Sequence, residues 1–529
     1  MRHGILDFMK KIKTIMCEKQ NKYFDLGIGI VLTILSLTAL WVCVIHGLGE
    51  DIWFDEVFSV RFMQHGYSEI AWLTSQDVHP PVYYWYLKLF HDIVKVMVPA
   101  ASSVVLCKLA SVLPFLGIYV YAFTLVRKRF GIKVMGFFLF LVTTMPQIPN
   151  YTVEIRMYAL ALFFITAVFL HGHEIVLKCV KDKADDTGKV GQTGHWIGFW
   201  IYGILTAYTQ YYACIAVIAV YISLFIFFLV QKQKKQMIKV MVYALLSAAA
   251  YLPWLPSFIS QVTTVSSNYW IQPLTFRSVF GCMKHVFLPV SYATTKNYIL
   301  AVAMIVVFAM AFLYSYFKKK DVTHRYVLLC GLFIPVFTAS MGFVCSALNR
   351  PIFVYRYLIP CLGAMWLVAA YVIWDCFSKN WGILLLLVFL FAGHSNMQGF
   401  YNEEHKKIVE MESTQSFWEA FPSDAVVLCN FNHVQALSAY YLGEETPVYL
   451  YGGEPESLIA KLMPNCRSFT DTDKIKDLVE KESVYFFGSF NSRDDLLAEW
   501  ALDGITYTEE GTYLLERYYF NVYHLSVEE

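Results

Sequence analysis

Apolar runs of about 20 residues, each able to cross a hydrocarbon core roughly 30 Å thick, recur along the first 400 of this chain's 529 residues. They read as spans near 25–47, 102–126, 134–149, 157–177, 197–212, 214–231, 238–256, 297–317, 325–347, 357–377 and 381–398, about eleven in all. The first is too long for a cleaved signal peptide, and no small-residue cleavage site follows it before Trp53. Hydrophobic residues make up 57% and charged residues 16%, where soluble chains carry roughly 25% charge. A soluble fold is therefore excluded. With 28 Gly, 17 Pro and no short period, so is a disordered or collagen-like one.

The net charge of +1 conceals an asymmetry. Residues 402–529 hold 24 acids against 9 Lys and Arg, a net of −15, while residues 1–401 hold 17 against 33, a net of +16. Cations cluster at Lys10, Lys11 and Lys13, at Arg127, Lys128, Arg129 and Lys133, at Lys178 to Lys183, at Lys232 to Lys235, and at Lys318, Lys319, Lys320 and Arg325. These are alternate loops, so the positive-inside rule makes them cytoplasmic. Loops 48–100, 150–156, 257–296 and 348–356 then face outward, as does the acidic tail after an odd number of spans. The expected location is a plasma membrane crossed many times, with the N-terminus cytoplasmic.

Two domains follow: a transmembrane body over 1–400 with an outward first loop at 48–100, and an extracytoplasmic domain over 401–529. The tail alternates strand-like runs at 425–428, 447–450 and 483–487 with helical patterns near 433–442, 474–481 and 493–502. It closes on a tyrosine-rich hairpin near 505–524, which argues a small α/β domain. Its Cys429 and Cys466 either pair or remain two buried thiols, and no zinc or redox spacing occurs elsewhere.

Four outward segments carry candidate chemistry. Asp55 and Glu56 lie in Trp53-Phe54-Asp55-Glu56, directly after the first span, where desolvating adjacent carboxylates is costly; a solvated loop is the plainer alternative. Asp77 and His79 precede Pro80-Pro81 at the start of an aromatic-rich helix, where an Asp is more often a cap. Glu154, Arg156 and Tyr158 follow the third span, and on a helix Glu154 and Tyr158 share a face. Arg350, Arg356 and Tyr357 precede the tenth span on the cation-poor side, which calls for an anionic partner such as a phosphate. Trp254, Tyr269 and Trp270 are further outward aromatics, suited to an interface belt or to stacking on a sugar.

The ordered set Trp53-Phe54-Asp55-Glu56, His79-Pro80-Pro81-Val82-Tyr83-Tyr84, Glu154-x-Arg156-x-Tyr158, Tyr251 to Pro256 and Arg356-Tyr357 resembles the multi-pass C-type (GT-C) glycosyltransferases. This family is related to protein O-mannosyltransferases and to aminoarabinose transferases of lipid A. The resemblance covers about the first 360 residues and leaves the tail out. It implies transfer of a sugar from a polyprenyl-phosphate donor to a glycan, lipid or protein acceptor on the outer face. Asp55 falls on the family's catalytic acid with Glu56 beside it, Glu154 on a second acid, and Arg156 and Arg356 on donor-phosphate ligands. His79, Asp77, Tyr158 and Tyr357 complete the substrate-binding set. Where relatives often have Thr-His, this chain has Thr209-Gln210, which weakens a metal site; a divalent metal is left open.

A carboxylate can accept the proton of an attacking hydroxyl, and arginine can neutralise a departing phosphate. An inverting single displacement is the simplest route, and a covalent retaining one stays open. The rival class is a transporter or flippase of lipid-linked sugars, which would place ionisable groups at the bilayer midplane and show internal repeats. A non-catalytic scaffold would leave Asp55 replaceable.

Overall fold

The computed structural model describes residues 2–185, 193–264, 271–289, 294–348, 350–376, 379–454, 457–516 and 518–527. Tyr269, Trp270 and Asn349 lie outside the described residues, as do the side chains of Lys10, Lys11, Lys13, Lys181 and Lys183. The chain separates into two compact units: Met1–Gly47 with Leu109–Tyr401, and Leu48–Lys108 with Asn402–Glu529.

Among the described residues nine helices are long and apolar enough to cross a membrane. They are Lys22–Gly47, Ser103–Phe130, Tyr158–Val180, Tyr211–Val230, Lys234–Thr263, Thr295–Lys318, Val322–Leu348, Tyr355–Trp374 and Trp381–Ala420. Two further apolar runs form shorter helices than the eleven-span reading expects, Ile132–Thr144 of 13 residues and Thr193–Ala207 of 15. At 1.5 Å per residue these reach only about 20 and 22 Å. The first of them is interior: every residue from Val134 to Thr144 is buried. It packs on the helix that ends at Gly47, where a Cβ added to Gly29 would stand 2.7 Å from the Ile132 carbonyl oxygen. Small residues thus let two backbones meet. Ser36 Oγ fixes the same seam by donating to the Leu139 carbonyl at 2.8 Å.

In the tail-containing unit, six strands form one sheet: β1 (Val426–Cys429), β2 (Val448–Tyr451), β3 (Cys466–Phe469), β4 (Val484–Ser489), β5 (Ile505–Leu515) and β6 (Tyr518–Val527), in the order β3-β2-β1-β4-β6-β5. The first four are parallel, connected through helices, and β6 runs antiparallel to β4 and to β5. Alternation sets the two faces. Val426, Leu428, Val484 and Phe486 pack with Trp500, Tyr523 and Leu525 on one side. Phe487 and Phe520 meet Phe417, which lies 5.7 and 6.1 Å from their ring centroids on the other side.

Phe417 belongs to a helix, Lys379–Ala420, that outlasts the apolar run ending near 398 by more than five turns. Its polar extension is laced by pairs such as Lys407–Glu404 at 2.7 Å. Cys429 and Cys466 are both buried free thiols. β2 stands between their strands, so two interstrand spacings of about 4.8 Å separate them, beyond disulfide reach. Burial pushes both thiols up, Cys466 to about 12, so both stay protonated and inert.

Candidate functional site

In the tail-containing unit, a helix Phe54–Gln64 begins right behind Trp53. The Glu56 carboxylate reaches back to accept the Trp53 backbone N–H at 3.2 Å, as the last member of a capping box does. Glu56 is buried by this arrangement. Asp55, one residue earlier and half-buried, sits in the first turn, where the unsatisfied amides of the helix favour negative charge. Other charges nearby are matched. Lys108 Nζ lies 2.9 Å from Asp51 Oδ1, and Arg61 Nη1 lies 2.9 Å from Glu444 Oε1 while its guanidinium covers the Tyr440 ring.

His79 Nδ1 lies 3.3 Å from Asp77 Oδ2, both mostly buried. Asp77 is therefore a partner of His79 and not a cap: the following helix, Val82–Met97, starts on Pro81 with no side-chain cap. Tyr84 packs this helix on Phe62 of the acid-bearing helix, ring centroids 4.6 Å apart.

In the other unit, Glu154 and Tyr158 do not share a helical face. The short helix Ile148–Tyr151 ends, and the Arg156 N–H donates to the Glu154 carbonyl at 2.7 Å, a tight turn that restarts helix only at Tyr158. Ser111 Oγ donates to the same carbonyl at 2.8 Å. Just upstream, Gln147 holds a positive φ of 69°, strained backbone of the kind that persists where surroundings over-determine it.

The turn gathers charges around Tyr151. Its ring lies 5.0 Å from that of Tyr158, and Arg356 stands 5.9 Å over the Tyr158 ring. Burial holds the Tyr151 phenol well above its ordinary range; Glu154 and Tyr158 raise it further, and Arg356 and Arg156 oppose them. Glu154, Arg156, Tyr158 and Arg356 are thus brought together. Tyr357 is directed elsewhere, stacked on Tyr212 at 4.5 Å. Gln210, at the position of the missing imidazole, caps the helix Tyr211–Val230 by accepting from the Ala213 N–H at 2.6 Å. Trp254 is buried and donates its indole N–H to Tyr211 at 3.0 Å, which makes it packing and not a sugar platform.

Two members of this cluster were not read from the sequence, Tyr151 and His285. His285 ends the helix Phe276–Phe287, and its Nε2 is buried without a hydrogen-bond partner among the described residues. Burial first, then the Arg356 charge, lowers its imidazole to about 4, so it is neutral at physiological pH. Among the described residues no three His, Cys, Asp or Glu side chains converge as a metal-binding group.

The whole fold matches that of ArnT from Cupriavidus metallidurans in the apo state, with a TM-score of 0.59 over 95% of this chain and 98% of that one, at 11% identity. The chain has the GT-C fold. The same enzyme bound to undecaprenyl phosphate aligns with a TM-score of 0.55 over 94% and 98% of the two chains, at 12% identity. The archaeal oligosaccharyltransferase AglB from Archaeoglobus fulgidus, in complex with an inhibitory peptide and a dolichol-phosphate, aligns more loosely, with a TM-score of 0.44 over 80% of this chain and 64% of that one, at 10% identity. No family model and no curated protein matches the sequence. The apolar helices make the chain a multi-pass membrane protein.

Proposed function

We propose that this chain is a membrane glycosyltransferase that moves a sugar from a polyprenyl-phosphate donor to a hydroxyl-bearing acceptor of the cell envelope, on the outer face of the membrane. The observation that carries the proposal is the cluster around Tyr151. Two arginines, a buried neutral histidine and two tyrosine hydroxyls there are a donor set for a phosphate, in a fold shared with an ArnT bound to undecaprenyl phosphate. A transporter or scaffold reading has no comparable observation behind it.

Each residue takes one role. Asp55 accepts the proton of the attacking hydroxyl; its place in the first helical turn favours the ionised carboxylate that this requires. Glu56 shapes that turn through the Trp53 N–H. Arg156 and Arg356 hold the donor phosphate and neutralise it as it leaves, without titrating. Tyr158 and His285 add neutral donors, Glu154 orients the guanidinium groups, and the Asp77–His79 pair binds substrate. A lipid-phosphate leaving group needs little acid assistance, so a single inverting displacement suffices.

The test is sugar transfer in membranes from a polyprenyl-phosphate donor pool, followed by mass spectrometry of envelope glycans with and without the protein. The proposal expects one glycan modification to vanish with the protein and with Asp55→Asn. An unchanged envelope in both cases would refute it.

A further inference from the structure

The tip of the β5–β6 hairpin breaks a turn rule. Leu515 of β5 pairs with Tyr518 of β6, and Glu516 opens the turn between them. Such tight turns favour Asn-Gly or Gly-containing pairs because they need positive φ. Glu516 nevertheless adopts a φ of 53°. Departures of this kind persist where a specific contact repays them.

The contact is with the acid-bearing helix. Glu516 Oε1 accepts the backbone N–H of Phe54, the residue immediately before Asp55. Its other oxygen lies 3.1 Å from His433 Nδ1, and the Glu516 side chain is only 10% exposed. His433 in turn lies flat on the Phe54 ring, centroids 3.9 Å apart and planes 9° from parallel, and on Phe431 at 4.7 Å. Phe54 is thus gripped twice, at its amide and at its ring, by residues of the tail. Burial raises the Glu516 carboxyl, its His433 and Phe54 partners oppose that, and the Asp55 charge raises it again, which places the two carboxylates within electrostatic reach.

We propose that Glu516, braced by His433, is a positioning residue: the tail hairpin locks the first turn of the Phe54–Gln64 helix and thereby fixes the Asp55 carboxylate for catalysis. The proposal deepens the reading of Asp55 as the base and rests on it. It gives the acidic tail a part in turnover that neither strand pattern nor motif suggests, since a Glu in a hairpin tip looks like solvent-facing polarity.

The test uses the full chain in membranes or nanodiscs. Glu516→Gly removes the carboxylate while suiting the positive φ, so the hairpin itself is not weakened; Glu516→Gln keeps an acceptor for the Phe54 amide. Hydrogen exchange in peptides covering 53–60 and transfer kinetics are measured on both, with Asp55→Asn as reference. The expected result is faster exchange across 53–60 in Glu516→Gly, a fall in kcat of about tenfold or more with the donor KM within about twofold, and recovery of both in Glu516→Gln. Unchanged exchange in Glu516→Gly overturns the clamp, and faster exchange with unchanged kcat overturns the positioning role. If Asp55→Asn keeps full turnover, the base assignment fails and this role falls with it. If Asp55→Asn is dead while Glu516→Gly is fully active, the positioning inference alone fails.

Discussion

The turn that carries Asp55 and the cluster around Tyr151 set charge in different surroundings. Around the turn, charged groups are matched by the protein itself: Asp51 by Lys108, Glu444 by Arg61, Glu516 by His433, Glu56 by the Trp53 amide. Around Tyr151, the Arg156 and Arg356 guanidinium groups and the Glu154 carboxylate bear on one buried ring, beside an imidazole that burial keeps neutral. Matched charge makes a rigid frame, which suits a group that must accept a proton at a fixed place. Guanidinium groups gathered on a buried ring suit an anion that arrives and departs.

That contrast makes graded predictions. The largest effect falls on the matched side: Asp55→Asn should lower kcat for transfer by about 10²–10⁴, the range of a lost general base, with normal membrane levels, and turnover within about threefold of wild type would remove Asp55 from the chemistry. Next is His285. An unfolded histidine titrates near 6.5 and this one near 4, so as pH falls from 6.5 to 4 the unfolded state takes up a proton that the folded state refuses. Stability is therefore lost across that window, by about 3 kcal/mol in total. His285→Gln should flatten this part of the pH dependence of the unfolding temperature; an identical slope in both proteins would mean that the imidazole is not held neutral.

Arg356→Lys keeps the charge but loses the planar fork, so it should weaken the donor lipid about tenfold and leave the acceptor KM unchanged. Equal weakening of both substrates would argue against a phosphate role. Smallest is Glu444→Ala. Its carboxylate is 64% exposed although its partner Arg61 is buried, and an exposed partner contributes about 1 kcal/mol or less. Denaturation monitored in the tail domain should barely move, and a larger loss would show that the matched frame depends on that pair.

The membrane body was legible because apolar run length is a direct physical requirement, and the α/β character of the tail because its strands alternate with helical periods. The misses have equally concrete causes. Ile132–Thr144 falls on the run read near 134–149 but its helix stops at an extended Met145, the residue before Pro146, a boundary that apolar composition does not carry. β3 contains Arg467 and Ser468 in an edge strand, so no apolar run announced it. The four-residue spacing of Glu154 and Tyr158 suggested a helical face, yet the chain turns between them. Asp55, Glu154, Arg156 and Arg356 were readable as ionisable residues beside spans. Tyr151, His285 and Glu516 were not, because their significance lies in neighbours far away in sequence, and a lone Tyr, His or Glu carries no local signal.

The seam between Gly29 and Ile132 also bears on how so short a helix is held. A helix of 13 residues reaches only about 20 Å, short of a hydrocarbon core of roughly 30 Å. In the folded protein it is held against the earlier helix that ends at Gly47, backbone to backbone at Gly29 and Gly136. A side chain at Gly29 or Gly136 would act during assembly: the two backbones could not close, and a helix this short would lose the neighbour that holds it.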